Sequence, residues 1–251
     1  MLIDVSIIIV NYNTINLTKQ CLDSIFEHTK DITLQIIVVD NNSTDDSVKI
    51  LGNLYSNIEI ISNDVNIGYG RATNIGIKNA IGKYIFFLNS DTLILNNTIK
   101  IFYDFFENNN ISRNAGALGC VMLDKDLVPN YRNSYFYFPS LKSYLFSLAT
   151  NIFDYYKYCY KADKLKIDNE NYLSVDFIVG ADLFVPKNIL NDIGNFDPDY
   201  FLYWEDVDLQ FRMHQKKLKR FIISFSKSIC LLSSTLDTTK STIETHIPAT
   251  I

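Results

Sequence analysis

Apolar and polar positions divide the first part of the chain into a repeated unit: a short continuous apolar run, then a stretch at helical spacing. Val5 to Val10 is a β-branched run that ends in the polar segment Asn11-Tyr12-Asn13-Thr14, after which Leu17, Cys21, Leu22 and Ile25 recur as one face of a helix. Leu34 to Val39 is a second run, closed by Asp40-Asn41-Asn42-Ser43-Thr44-Asp45-Asp46, a composition that predicts a loop and then a helix cap. Ile58 to Ile61 is a third. A Gly- and Asn-rich turn then leads into a helix through Ala72, Ile75 and Ala80. Tyr84 to Leu88 is a fourth run and stops at Asn89-Ser90-Asp91. Continuous apolar strands alternating with helices predict a parallel sheet covered on both faces. In such sheets ligands bind beyond the carboxyl ends of the strands, where Asn11, Asp40 and Asn89 to Asp91 all fall.

The second half has a different pattern. From Asp124 to about Asn171 the chain is rich in Tyr, Phe and Lys with weak periodicity, and its aromatic part from Tyr131 to Tyr160 suits an acceptor lid, a dimer contact or core. A strand is predicted over Leu173 to Ile178, followed by Gly180-Ala181-Asp182 and a second apolar run, Leu183 to Pro186. A turn at Asn195-Phe196-Asp197-Pro198 precedes a helix beginning near Trp204.

Composition narrows the classes. With 47% hydrophobic and 20% charged residues in 251, the chain is globular rather than disordered, and a net charge of −5 argues against a nucleic-acid binder. The local basic group Arg212, Lys216, Lys217, Lys219 and Arg220 reads as a solvated helix end whose cations suit the C-terminal dipole. Its sharper reading is a contact with an anionic membrane surface or a diphosphate-bearing acceptor. Four dispersed cysteines predict reduced thiols in a cytoplasmic protein. No signal peptide is expected, because Asp4 interrupts the first apolar run and no basic segment precedes it.

Four segments carry candidate chemistry. At Asn89-Ser90-Asp91 a carboxylate ending a strand can hold a hard divalent cation, with substrate phosphates completing its shell, although the same tripeptide also serves as a turn or helix cap. Asp40 can accept from a nucleobase imide N–H, with Asn42 supplying further polar atoms, or can close an Asx-turn. Asn66-Ile67-Gly68-Tyr69-Gly70-Arg71-Ala72-Thr73-Asn74-Ile75-Gly76 has small residues that let a backbone approach a ligand or another helix. It is not a dinucleotide fingerprint, since Thr73 stands where a third glycine would fall. Trp204-Glu205-Asp206-Val207-Asp208 clusters three carboxylates in one helical turn, as the helix dipole alone would favour. Among aromatics, such a carboxylate has its pKa pushed upward, which suits a general base.

Taken in order, these segments resemble the family 2 inverting glycosyltransferases, in particular the bacterial rhamnosyltransferase-like branch. The matching residues are Val5 to Asn13, Ile36 to Asp45, Asn66 to Gly76, Phe87 to Thr92, Gly180 to Leu183, Gly194 to Asp197 and Phe201 to Leu209. The resemblance implies a GT-A type nucleotide-diphospho-sugar transferase fold, an α/β architecture with a Rossmann-like, mostly parallel sheet and helices on both faces. It implies a single catalytic domain over residues 1–232, with a nucleotide-binding half (1–123), an acceptor-binding half (124–232) and a frayed or truncated tail (233–251). Asp40 would meet the nucleobase, and Tyr12 with Asn66, Gly68, Arg71 and Asn74 would line the nucleoside pocket. Asp91 would be the ligand of Mn²⁺ or Mg²⁺, with Asn89 replacing the first acid of the family's Asp-x-Asp motif. Asp206 would be the catalytic base and Glu205 its acceptor-orienting neighbour, with Asp182 and Trp204 on the acceptor side.

The implied activity is transfer of a sugar from a nucleoside-diphosphate donor, of dTDP-rhamnose or UDP-hexose type, to a saccharide or lipid-linked saccharide in cell-surface polysaccharide synthesis. Asp206 would take the acceptor's proton in a single inverting displacement. The family's His near the end of the sheet has no counterpart in Ser228 to Ser234, and His246 lies too far along to replace it. A non-catalytic nucleotide-sugar-binding relative is therefore the alternative. A sugar-phosphate nucleotidylyltransferase ranks third, because Asn11-Tyr12-Asn13-Thr14 is unlike the Gly-rich, Arg-containing loop it would need.

Overall fold

The computed structural model describes residues 2–108, 113–124, 126–130, 134–136, 138 and 172–230. Most of the aromatic segment between 131 and 160 and the whole tail from 233, with His246, lie outside the described residues.

The chain runs β1 (Val5–Asn11), α1 (Ile15–His28), β2 (Leu34–Asp40), α2 (Ser47–Leu54), β3 (Glu59–Ser62), α3 (Tyr69–Asn79), β4 (Tyr84–Leu88), β5 (Thr92–Ile94), α4 (Thr98–Asn108) and β6 (Ala115–Leu123). It continues through β7 (Tyr135–Phe136), β8 (Tyr172–Val175), β9 (Phe177–Ile178), β10 (Asp182–Pro186), α5 (Lys187–Ile193), α6 (Glu205–Gln215) and β11 (Lys219–Cys230). Among the described residues one sheet has the order β3-β2-β1-β4-β10-β6-β11-β5, with β8 added on β11, and β7 and β9 form a separate pair. Strands β1 to β4 are mutually parallel and in register, with Asn11 beside Asp40 and Asp40 beside Ser62. Strand β10 enters antiparallel between β4 and β6, so its first residue, Asp182, pairs with the last of β4, Leu88. That inversion brings the start of β10 to the edge where the parallel strands end.

Burial on both faces follows from the side-chain period of two. Ile7 and Ile9 of β1 join Val38, Phe86 and Phe184 in one core with Cys21, Leu22 and Ile25 of α1 and Phe102 of α4. Ile8, with Ile37, Ile85 and Phe87, faces the other way toward Ala72 of α3 and Leu209 and Met213 of α6. Gly76 brings α3 against β1: a Cβ there would sit 2.5 Å from Ile8 Cγ2. The two cores pack on opposite faces of the sheet.

The four expected strands of the first half are present. Two features differ from the sequence reading. Thr92 to Ile94 form a short strand against β11, and α4 begins only at Thr98, so Asp91 caps no helix. The basic group is not uniformly solvated either. Arg212 binds Asp208 and the carbonyls of Ile193, Gly194 and Asn195, while Arg220 is buried, donating to Asp176 O and Leu218 O with its guanidinium 5.5 Å from the Phe138 ring. Lys216 pairs with Asp192 at 3.3 Å.

Candidate active site

The rim of strand ends carries two groups of polar residues. The first is built on β1 and β2. Asn11 is fully buried and sends its amide to Asp40 Oδ1 (2.7 Å) and Ser43 Oγ (3.0 Å), while its carbonyl accepts from Thr14 and Thr18. Asp40 Oδ2 accepts the Ser43 N–H at 2.9 Å. Each carboxylate oxygen of Asp40 is thereby engaged once inside the protein and keeps a second lone pair. Asn42 is exposed with φ 68°, the left-handed conformation that Asn tolerates in a tight turn. Tyr12 is exposed at the mouth of the same turn.

Asn41, which the sequence reading did not single out, holds the next loop in place. Its amide donates to Asn66 Oδ1 (2.8 Å), and its carbonyl accepts from Asn63 Nδ2 and from the Ile67 N–H, both at 3.1 Å. Asn66 Oδ1 also accepts from the Gly68 N–H, shaping the entry to α3. Gly68 has φ +86°, and a Cβ there would run into the carbonyl of Phe201, so both conformation and space demand glycine. Arg71 and Asn74 bond to the segment that leads into α6. Asn74 donates to and accepts from the backbone of Phe196, and Arg71 donates to Pro198 O, so the two clamp the turn before α6.

The second group gathers around the N-terminus of α6. Tyr69 opens α3 with its N–H donated to Phe201 O at 2.9 Å and its ring edge-on to Phe196. Burial raises the pKa of its phenol, and the negative charges of Glu205, Asp206 and Asp91 raise it further, which puts all three carboxylates within electrostatic reach of one hydroxyl. Asp206 is half-buried, with Oδ2 accepting the Gly180 N–H at 2.9 Å and Oδ1 the Val207 N–H at 2.8 Å. Desolvation pushes its pKa up, and those N–H groups hold it partly down. Glu205 is buried with Oε2 unpaired among the described residues, and its pKa is raised by burial and then by Asp206. Asp208, on the next part of the turn, is spent on Arg212 at 2.8 Å.

Asp91 is buried at the end of β4, next to Cys21 of α1. Asn89 N–H donates to Ala181 O at 2.9 Å, and Ser90 Oγ lies 3.1 Å from Thr14 Oγ1, so this corner is tied to β10 and to the β1 loop. Asp182 lies beneath the rim, 1% exposed, with Oδ2 close to Ser228 Oγ and the Cys120 N–H. Trp204 and Tyr203 stand exposed beside Asp206, both in left-handed conformations at φ 72° and 67°.

Of the expected site residues, Trp204, Glu205 and Asp206 gather at the start of α6, Tyr12, Asp40, Asn42 and Asn66 at the ends of β1 and β2 and the loop before α3, and Asp91 in the turn after β4. Tyr69 and Gly180, quoted only inside longer motifs, join the group around α6. The signal for Tyr69 was its place between two glycines.

A rim of strand-end carboxylates over a mixed, mostly parallel sheet with one antiparallel insertion is the layout of a GT-A sugar-nucleotide transferase. The family model described as glycosyl transferase family 2 matches residues 6–167, and the chain belongs to that family. It is 28% identical over 221 residues to the rhamnosyltransferase WbbL of Escherichia coli strain K12, covering 83% of this chain and 76% of that one. An uncharacterized glycosyltransferase of Rickettsia felis is 39% identical over 107 residues, which is 42% of this chain but 18% of that longer protein. Among solved structures, the mannosyltransferase PcManGT of Pyrobaculum calidifontis, in complex with GDP-Man and Mn²⁺, superposes with a TM-score of 0.63 at 17% identity, covering 90% of this chain and 56% of that one.

Proposed function

We propose that this glycosyltransferase moves a sugar from a nucleoside-diphosphate donor, of dTDP-rhamnose or UDP-hexose type, to a hydroxyl of a saccharide or lipid-linked saccharide in cell-surface polysaccharide synthesis. The observation that carries the reading is Asp206, a half-buried carboxylate aimed by the Gly180 N–H and raised in pKa, whose charge acts, with that of Asp91, on the Tyr69 phenol. The likeness to a rhamnosyltransferase over most of both chains supports the donor class.

Asp206 accepts the acceptor hydroxyl's proton as that oxygen bonds to the anomeric carbon and the bond to the diphosphate oxygen breaks, giving single displacement with inversion. Glu205, adjacent and with Oε2 free of a partner among the described residues, orients the acceptor. Asp40, Tyr12, Asn42 and Asn66 form the nucleoside side, with Gly68 giving close backbone approach; Arg71 and Asn74 act there indirectly, through the 196–198 turn.

Asp91 with Asn89 offers oxygen donors and one negative charge, a set that suits Mn²⁺ or Mg²⁺ when substrate phosphates complete the shell. Among the described residues no group of three or more His, Cys, Asp or Glu is placed to hold a metal ion. Such an ion supplies charge neutralisation at the leaving diphosphate. Among the described residues no helix is long and apolar enough to cross a membrane.

The test is Asp206→Asn assayed against a panel of dTDP- and UDP-sugars. Lost transfer with unchanged donor affinity supports this reading. Donor binding without transfer by the wild-type chain, across a range of acceptors, favours the non-catalytic relative.

A further inference from the structure

Arg212 and Lys216 are spent on Asp208 and Asp192, but among the described residues no carboxylate lies within ion-pair distance of Lys217 or Lys219. Both of these lysines line a cavity of about 510 Å³ between the last turn of α6 and strand β8, together with His214 and Arg220. Asp176 is the one carboxylate in the cavity wall, and its Oδ2 already accepts the Phe138 N–H at 2.8 Å. Three cationic side chains therefore surround this space, in a chain whose net charge is −5. Arg220 is buried and held, with Nε donating to Asp176 O and Nη1 to Leu218 O, both at 2.6 Å, so its charge forms a fixed floor. Lys217 and Lys219 are exposed and can close on a ligand.

Two features of the backbone set these cations in place. Helix α6 is closed by backbone bonds alone, from Lys216 N–H to Arg212 O, Lys217 N–H to His214 O and Leu218 N–H to Met213 O. Lys217 takes the left-handed position of that closure, at φ 61°, where glycine is favoured and a Cβ is a steric liability. A lysine kept in a glycine's place fits a use for its ammonium group. In β11 the register against β6 shifts between Lys219 and Arg220, and both line the cavity although neighbours on a regular strand face opposite sides.

We propose that this cavity binds the phosphate group of an organic phosphate, with Lys217 and Lys219 as its charge partners. Ammonium groups bind phosphate as point charges, and the guanidinium of Arg220 adds to the field without leaving its carbonyls. A bare phosphate fills only part of the volume, and Val175 and Leu218 offer apolar surface to an organic body. Asp206 and His214 lie on the first and last turns of α6, about 12 Å apart along its axis, so the cavity is separate from the proposed transfer site. Two sources carry the required chemistry, a soluble phosphorylated metabolite and the headgroup of an anionic lipid.

The test uses the full chain in EDTA and reads no sugar transfer, so its failure leaves the role of Asp206 standing. Inorganic pyrophosphate should shift the NMR signals of the backbone amides from His214 to Arg220. Lys217→Gly should weaken that binding about 10-fold while leaving the thermal midpoint unchanged or raised, because glycine accepts the left-handed conformation. Lys219→Gln should weaken it to a similar degree, and Lys216→Gln, whose partner is Asp192, by less than about two-fold. Sedimentation with phosphatidylcholine vesicles containing phosphatidic acid, lost in Lys217→Gly, assigns the phosphate to a lipid. Pyrophosphate binding without sedimentation assigns it to a soluble ligand. Amides that stay unmoved at millimolar pyrophosphate, or equal affinity in wild type, Lys217→Gly and Lys219→Gln, overturn the proposal whatever the vesicles show.

Discussion

The Gly180 position offers a sharp perturbation because the contact it makes is with the proposed base. A Cβ added there would stand 2.8 Å from Asp206 Oδ2, 2.9 Å from Asp206 Cβ and 3.1 Å from Asp206 Cγ. Contacts of this kind relax to about 3.5–4.0 Å between carbons, so Gly180→Ala must move Asp206 by roughly 0.5–1 Å. The carboxylate tip alone cannot escape by rotating, since the β-carbon is itself in collision. Misplacement of that size costs about 100-fold in rate, or about 2.7 kcal/mol of transition-state stabilisation. The proposed nucleoside contacts, at the ends of β1 and β2 and in the loop before α3, do not include Gly180, so donor affinity should be unchanged. The assay is transfer or donor hydrolysis at saturating donor, with donor affinity measured by calorimetry. Gly52→Ala is the control: its Cβ meets nothing nearer than Ile60 Cδ1 at 3.9 Å within α2, and it should gain about 0.5–1 kcal/mol of stability with activity intact. A Gly180→Ala enzyme within about three-fold of wild type would refute Asp206 as a positioned base.

Other outcomes follow from the same geometry. Asp206→Asn should lower kcat by at least about 100-fold, and the acid limb of the wild-type kcat/KM profile should lie above the ordinary carboxylate range, because desolvation favours the protonated form of Asp206. Phe184→Ala, emptying the ring cluster of Tyr84, Phe86, Phe102 and Phe106, should cost about 3–5 kcal/mol in denaturant unfolding. Asp182 binds its proton more tightly folded (about 7) than unfolded (3.8), so its contribution to stability is present below about pH 4 and is lost as pH rises to about 7. Asp182→Asn should therefore gain on wild type by up to about 4 kcal/mol between those limits, read from paired unfolding curves.

The sequence made the first half of the sheet plain because each parallel strand there is buried on both faces and reads as an unbroken apolar run, as in Val5 to Val10 and Tyr84 to Leu88. It hid β6, whose Gly116 and Gly119 interrupt the run; a Cβ at Gly119 would collide with Ile178 packed against it. It also hid β5, a three-residue strand that depends on pairing with β11, some 130 residues away by chain numbering. In the site, Asp91 and Asp206 stood out because carboxylates ended an apolar strand and opened a helix. Arg71 and Asn74 looked the same as ligand-facing residues until their bonds to Pro198 and Phe196 were placed, since those partners lie more than a hundred positions along the chain. Asn41 was one of two adjacent asparagines, and only the fold distinguishes the buried one from the exposed one.

The central claim is that the rim binds a nucleoside-diphosphate sugar and that Asp206 is the base that takes the acceptor's proton as the sugar is transferred. The most direct measurement is binding and release of nucleoside diphosphate across dTDP- and UDP-sugars with Mn²⁺, Mg²⁺ or EDTA, for wild type and Asp206→Asn side by side. The account predicts metal-supported binding of one donor by both proteins and turnover by wild type alone. Equal turnover by both, or no binding of any donor by either, would contradict it.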